Sequence, residues 1–404
     1  MNQNTRMGQL RALNAWARNV YKAARLGALT GDEIEPTIKR VAGPRAGALL
    51  LGAGIHTGTL LNRLSANEEA LLRQLIPFDF TGDPIAFMEG RWLRLECGWP
   101  AGLGETMVRL ADLGQSKGPS RWTVGKNETG AVVSMSLSDS TPHFLLGGQT
   151  GSGKSVCLQS AALQLAGGDN RLVLLDGKMG SSLGVAQHLQ GVVGPVAYRD
   201  EDIKGALGWA HDRMIERYER MNQGATLDNR LVVLFDEFQE YKSDKLVTGL
   251  LSKLAAQGRG AKVHLLAATQ HPTVDAFGDS STRRELTGRL ALSVTDASAS
   301  QVVVGDSLPR ADRLLGKGDA YAIAPGAVHR IQCAYVDERD FNDAETVRES
   351  GWLVDDWAGC GAGDVVDGPN TPTNQPTRNW RFPCLARLLE REGQRSCNAA
   401  RTLG

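Results

Sequence analysis

The chain has 404 residues, 42% of them hydrophobic, and sets 45 lysines and arginines against 45 aspartates and glutamates for a formal charge of +0. It reads as globular, with enough apolar residues for one large core or two smaller ones, and it lacks the global basic field that marks many nucleic-acid binders. Any polyanion site must be local or multiplied by oligomerisation.

The six cysteines, Cys97, Cys157, Cys333, Cys360, Cys384 and Cys397, form no CxxC pair. Neither a zinc site nor a small disulfide scaffold is indicated, and a reducing cytoplasm fits. The amino end, "MNQNTRMGQLRALNAWARNVYKAARLG", is basic throughout and has no apolar core of signal-peptide length. Arg11, Arg18, Lys22 and Arg25 share a helical face by their spacing. A solvated face is the first reading, with contact to DNA or a partner as the alternative. The stretch "AGALLLGAGIHTGTLL" is broken by glycines and too short for a membrane span. Together with the strand-like "RWLRLECGW", these patterns make residues 1–120 a smaller α+β region without a chemical motif of its own.

From 121 to 337 the runs "HFLLGG", "RLVLLDG", "RLVVLFDE", "VHLLAAT", "RLALSVT" and "DAYAIA" alternate with helical segments. Short strands separated by helices predict an α/β fold with a mainly parallel sheet covered on both faces. Residues 338–378 read as a helix and a flexible linker. Residues 379–404 read as a short helical tail, similar to the first part of a helix-turn-helix that ends before a recognition helix is complete.

Within this frame "GGQTGSGKS" fits the phosphate-loop pattern, and it lies between a strand and a helix as such a loop must. Gly148, Gln149, Thr150, Gly151, Ser152, Gly153, Lys154 and Ser155, with Cys157 in the helix behind them, are the expected nucleotide contacts. Glycines let backbone N–H groups turn inward on phosphates while the helix start adds its positive dipole end. Lys154 is expected on the β- and γ-phosphates of ATP, and the Ser155 hydroxyl on Mg²⁺.

The strand "RLVVLFDE" ends in Asp236 and Glu237, and an acid at the end of a buried strand needs a compensating cation or donor. Asp236 is expected to organise Mg²⁺, and Glu237 to act as general base on the attacking water. Thr269 and Gln270 close a third strand at the same carboxyl edge, where Gln270 can sense the γ-phosphate.

The order and wording of "LLDGKMG", "VVLFDEF", "GRGAKVHLLAATQHPTVD", "GRLALSV" and "LLGKGDAYAI" are similar to the motor domain of the FtsK/SpoIIIE/HerA family of ring-forming DNA translocases, from Trp122 to Val336. The resemblance implies a RecA-like P-loop NTPase of the additional-strand, catalytic-glutamate kind. It also implies a homo-oligomeric, hexameric ring in which Arg259 reaches the neighbouring subunit's nucleotide, with residues 1–120 in the place of the family's smaller ring-forming domain. In a ring, Lys242, Lys245, Arg283, Arg284 and Arg289 become candidate contacts to the backbone of double-stranded DNA. Two departures stand out. Gln301 lies nearest to where the family usually has an arginine, and "DGKMG" drifts towards the secretion branch.

The reading is therefore a cytoplasmic, ATP-driven DNA translocase serving mobile-element transfer, chromosome segregation or phage packaging, recruited to a membrane, nuclease or recombinase partner where one is needed. A type VII-like secretion ATPase and an ATP-gated assembly protein are the alternatives.

Overall fold

The computed structural model describes residues 6–345 except 26–34, 42–44, 53–55, 66–67, 78, 100–106, 115–117, 128–129, 167–169, 228, 278–279 and 308. The expected linker and helical tail beyond 345 lie outside the described residues. Among those described, no helix is long and apolar enough to cross a membrane.

The first sheet is built from α1 (Arg6–Arg25), β1 (Thr37–Val41), β2 (Ala46–Leu51), α2 (Thr57–Ser65), α3 (Glu68–Leu75), β3 (Thr81–Glu89) and β4 (Trp92–Gly98). Its order is β1-β2-β4-β3, antiparallel throughout. Apolar residues recur along α1 at helical spacing, and Leu10, Leu13, Trp16, Ala17, Val20, Tyr21 and Ala24 are all buried in one core. Arg11, Arg18 and Lys22 are exposed, as a solvated face requires, and Arg18 pairs with Glu35 at 3.1 Å. The side chain of Arg25 lies outside the described set. Strand β4 alternates. Leu93, Leu95 and Cys97 enter this core, and Arg94 and Glu96, on the opposite face, are buried against the second sheet.

The second sheet comprises β5 (Val108–Arg109), β6 (Arg121–Asn127), β7 (Val132–Ser136), β8 (Phe144–Gly147), β9 (Arg171–Asp176), β10 (Leu231–Asp236), β11 (Val263–Thr269), β12 (Gly288–Leu292), β13 (Asp319–Ala324) and β14 (Ala327–Tyr335). The helices among them are α4 (Lys154–Ala166), α5 (Asp200–Asn222), α6 (Lys245–Gln257), α7 (Ser280–Glu285), α8 (Ala297–Val304) and, after β14, α9 (Glu338–Glu345). The order is β7-β6-β14-β13-β12-β8-β11-β10-β9, with β5 beside β14.

The stretch β12-β8-β11-β10-β9 is parallel, as the alternating pattern predicts. The other half is antiparallel apart from β5, which runs parallel to β14, so the sheet is mixed rather than mainly parallel. The physical reason is local. The Pro325-Gly326 turn, with Gly326 at φ +77°, joins β13 to β14 in too few residues for a parallel crossover.

Strand β10 shows how the parallel half is buried on both faces. Val232 and Leu234 join the core with α4, whereas Leu231, Val233 and Phe235 join the core with α5 and α6. Burial of each such side chain contributes about 1.5–3 kcal/mol, which fixes the register that brings the strand ends level.

Candidate active site

The parallel strands end side by side. Gly147 of β8 is level with Thr269 of β11, and Asp236 of β10 is level with Ala268 on one side and Asp176 of β9 on the other. The turn from β8 into α4 is Gly148–Ser155. Gly151 and Gly153 have φ of +78° and +100°, a region that glycine enters without steric cost. A side chain at Gly148 would bring its Cβ within 2.5 Å of Ser152 Oγ and 2.7 Å of Leu292 Cβ. The turn is tied to its neighbours, because Gly148 N donates to Thr269 O at 3.2 Å and Gln149 N to Ser293 O at 2.8 Å. Gln149 Nε2 also donates to Ser293 Oγ at 3.2 Å. Helix α4 begins at Lys154, so its positive end opens into this turn.

Lys154 is only 4% exposed. Its Nζ donates to Asp236 Oδ1 and lies 2.9 Å from Glu237 Oε1. Neighbouring side chains on an extended strand diverge, yet these two carboxylates converge on one ammonium. The cause is the left-handed backbone of Glu237, φ +55°, which ends the alternation at the last strand residue. Such a conformation costs a non-glycine residue on the order of 1–3 kcal/mol and persists where its surroundings enforce it. Here Glu237 Oε2 accepts from Gln239 Nε2 at 2.6 Å and from the backbone N of Gln270 at 2.9 Å. Gln270 Oε1 in turn accepts from Thr150 Oγ1 at 3.0 Å, so the expected sensor bridges the glutamate and the loop.

The Asp236 Oδ2 atom and Ser152 Oγ are buried without hydrogen-bond partners. Among the described residues no three His, Cys, Asp or Glu side chains gather as a metal cage. A carboxylate with one free oxygen and a serine hydroxyl at a helix start suit a cation that keeps its waters and takes phosphate oxygens, as Mg²⁺ does. Asp236 and Ser155 would hold it.

Several neighbours were not legible in the sequence. Asp176 accepts from the backbone N of Lys178, Ser182 and Leu183 at 2.8, 2.7 and 3.0 Å, folding the "DGKMG" turn so that Ser182 Oγ comes 3.4 Å from Ser155 Oγ. Ser293 and Gln239 likewise belong to the site through contacts that no short motif announces.

The other expected residues fall elsewhere. Cys157 N donates to Gly153 O at 3.0 Å, and its thiol is buried in the core beside Cys333. Arg259 is exposed and donates to Asp139 O at 3.4 Å. Both residues precede the first residues of their strands, at the opposite edge of the sheet from Gly148 and Gln270. The seven residues of β11 put roughly 23 Å between these edges, so Arg259 is out of reach of its own chain's phosphate loop.

The segments carrying the candidate DNA contacts meet, with the Phe238 and Phe277 rings 5.2 Å apart. Lys242, Lys245 and Arg284 are exposed and Arg283 is half-buried. Arg289 points inward. Its Nη1 donates to the Val302 and Val303 carbonyls at 3.0 and 3.1 Å, and its Nη2 to Arg283 O at 3.3 Å. It closes the carboxyl end of α8, and burial first and Arg283 second pull its pKa down to about 10.

Residues 108–240 match the model of the FtsK/SpoIIIE family. This segment belongs to the FtsK/SpoIIIE family. Over 272 residues the chain is 27% identical to the DNA translocase FtsK of Staphylococcus epidermidis, covering 59% of this chain and 34% of that one. Over 262 residues it is 29% identical to the DNA translocase SftA of Bacillus subtilis, covering 58% and 27%. The chain thus spans about a third or less of the length of these relatives. In fold, the chain is similar to the pCW3 conjugation coupling protein TcpA, solved with ATPγS. The TM-score is 0.58 at 18% identity, over 83% of this chain and 99% of that one.

Proposed function

We propose that the chain is a Mg²⁺-dependent ATPase that moves double-stranded DNA and works as a homo-oligomeric ring. The observation that carries this reading is the convergence of Lys154, Asp236 and Glu237 at the mouth of the glycine-lined turn. Incoming phosphates would draw Lys154 away from the two acids. Asp236 is then free for the cation, and Glu237, held by Gln239 and Gln270, is free to take a proton from water. A protein that used nucleotide only as an assembly switch would have no need of that glutamate.

Strand β11, lying between β8 and β10, supports the RecA-like, additional-strand form of the fold, because it carries Gln270 to a place between loop and glutamate. The ring is supported by the place of Arg259, which could serve a nucleotide only on a neighbouring copy. DNA as cargo is supported by the relatives named DNA translocases, and a neutral chain can hold it if a ring repeats Lys242, Lys245, Arg283 and Arg284 around a pore.

The test is ATP hydrolysis by the purified protein with and without linear duplex, beside Lys154→Ala. Duplex of any sequence should raise the rate severalfold, salt should weaken the effect, and the variant should abolish it. Robust hydrolysis indifferent to duplex would overturn the DNA reading and favour a protein cargo.

A further inference from the structure

The "LLGKGD" segment leads into β13 and crosses the phosphate loop. Gly318 N donates to Ser152 O at 2.7 Å and Lys317 N to Gly151 O at 3.4 Å. The fit is close, since a Cβ on Gly153 would come 3.0 Å from Gly318 N. Three successive residues here, Gly316, Lys317 and Gly318, have φ of +83°, +51° and +89°. A run of left-handed residues that includes a lysine is costly, so something must hold it.

Asp319 does so. Its Oδ2 accepts from Leu315 N at 3.0 Å, closing the loop, and Arg330 of β14 grips the carboxylate with Nε at 3.0 Å and Nη2 at 2.7 Å. The remaining arm of the fork, Arg330 Nη1, donates to Glu96 Oε1 of β4, in the first sheet. Glu96 is fully buried and also receives Arg94 Nε at 2.5 Å, with Arg45 Nε at 3.5 Å. Arg94 reaches on to Glu89 at 2.6 Å. Burial pushes the Asp319 carboxyl up, to about 7, against the Leu315 amide and the positive charge of Arg94 and Arg45. Burial likewise pulls Arg330 down. A planar fork on a carboxylate is the geometry of a charged pair.

We propose that Asp319 and Arg330 are positioning residues of the nucleotide site, and that Glu96 of the first sheet completes them. The buried chain Glu96–Arg330–Asp319 sets the loop whose Gly318 amide holds the phosphate loop, so the first sheet tunes nucleotide affinity without touching nucleotide. None of the three is in reach of the chemistry by the contacts described, and each acts through the backbone of residues 315–318. This inference rests on the ATPase reading above.

Its test is steady-state hydrolysis of Mg-ATP by the full chain carrying Glu96→Gln, Glu96→Asp or Arg330→Lys, with melting temperature measured in parallel. Glu96→Gln should raise KM for ATP roughly 5–10-fold while kcat falls less than twofold, the pattern of weakened nucleotide binding rather than lost chemistry. Glu96→Asp, which keeps the charge, should recover part of the loss. A lower melting temperature with an unchanged KM would overturn the proposal and leave the cluster purely structural. If Glu96→Gln fails to fold, Arg330→Lys gives the same reading, because an ammonium cannot fork onto Asp319 while bonding Glu96. Failure of the ATPase reading looks different, as wild type itself would then show no hydrolysis that Lys154→Ala abolishes.

Discussion

Two buried charge clusters share this molecule. At the phosphate loop one ammonium meets two carboxylates, Lys154 with Asp236 and Glu237. At the seam between the sheets three guanidiniums meet two buried carboxylates, Arg45, Arg94 and Arg330 with Glu96 and Asp319. The first has spare capacity, for Asp236 Oδ2 is unpartnered and the cluster opens on a turn built for anions. The second also leaves one oxygen without a hydrogen bond, Glu96 Oε2, but that atom faces Arg45 Nε at 3.5 Å inside the seam, and the rest is closed by forked hydrogen bonds. The difference lies in what surrounds the open oxygen, a glycine-lined turn at a helix start in one place and a guanidinium in the other.

Replacing Arg330 by methionine should show the difference most strongly. It takes the fork from buried Asp319 and one of three guanidiniums from Glu96, and should cost about 3–5 kcal/mol of stability by urea unfolding. Glu237→Gln, in the open cluster, should leave stability nearly unchanged or raise it. Its effect belongs on the chemistry, with ATP binding retained and single-turnover hydrolysis reduced about 100-fold or more. Equal stability losses in the two variants would erase the distinction.

A neutral buried pair provides a control for burial itself. Burial holds His143 down at about 3, helped by His264, and holds His264 down at about 4, helped by Arg230, Arg217 and Lys262. Both are neutral in the fold, whereas the unfolded chain takes up protons below about 6.5. Their contribution is complete above that pH and is lost as pH falls through 6.5 towards 4 and 3. His264→Gln should flatten the pH dependence of stability by about 1.4 kcal/mol per pH unit between about pH 4 and 6. The smallest effect is local. Asp244 caps α6, accepting from Leu246 N and Val247 N at 3.0 and 3.1 Å, and Asp244→Ala should lower stability by about 1 kcal/mol in the same unfolding assay.

What the sequence made legible follows from range. The open cluster was readable because its parts are short motifs at strand ends, and hydrophobic runs such as "RLVVLF" bring strand ends level. The closed cluster was not, because Glu96 and Arg330 are 234 positions apart and an alternating "WLRLECG" discloses a buried Arg94 and Glu96 only once the second sheet covers them. Arg289 shows the reverse error of range. An arginine near a basic segment suggests a DNA contact, and only the neighbouring end of α8 reveals that its donors are turned inward. The β13–β14 hairpin within the antiparallel half depended on one Pro-Gly turn, a two-residue signal inside a pattern of alternating strands and helices.

Movement along DNA is the claim on which the functional account stands, and displacement of a third strand from a duplex reads it directly. The protein, ATP and Mg²⁺ should strip a triplex-forming strand from linear duplex of unrelated sequences, and Glu237→Gln should bind the duplex without stripping it. Duplex-stimulated hydrolysis with no displacement from either end would contradict the account.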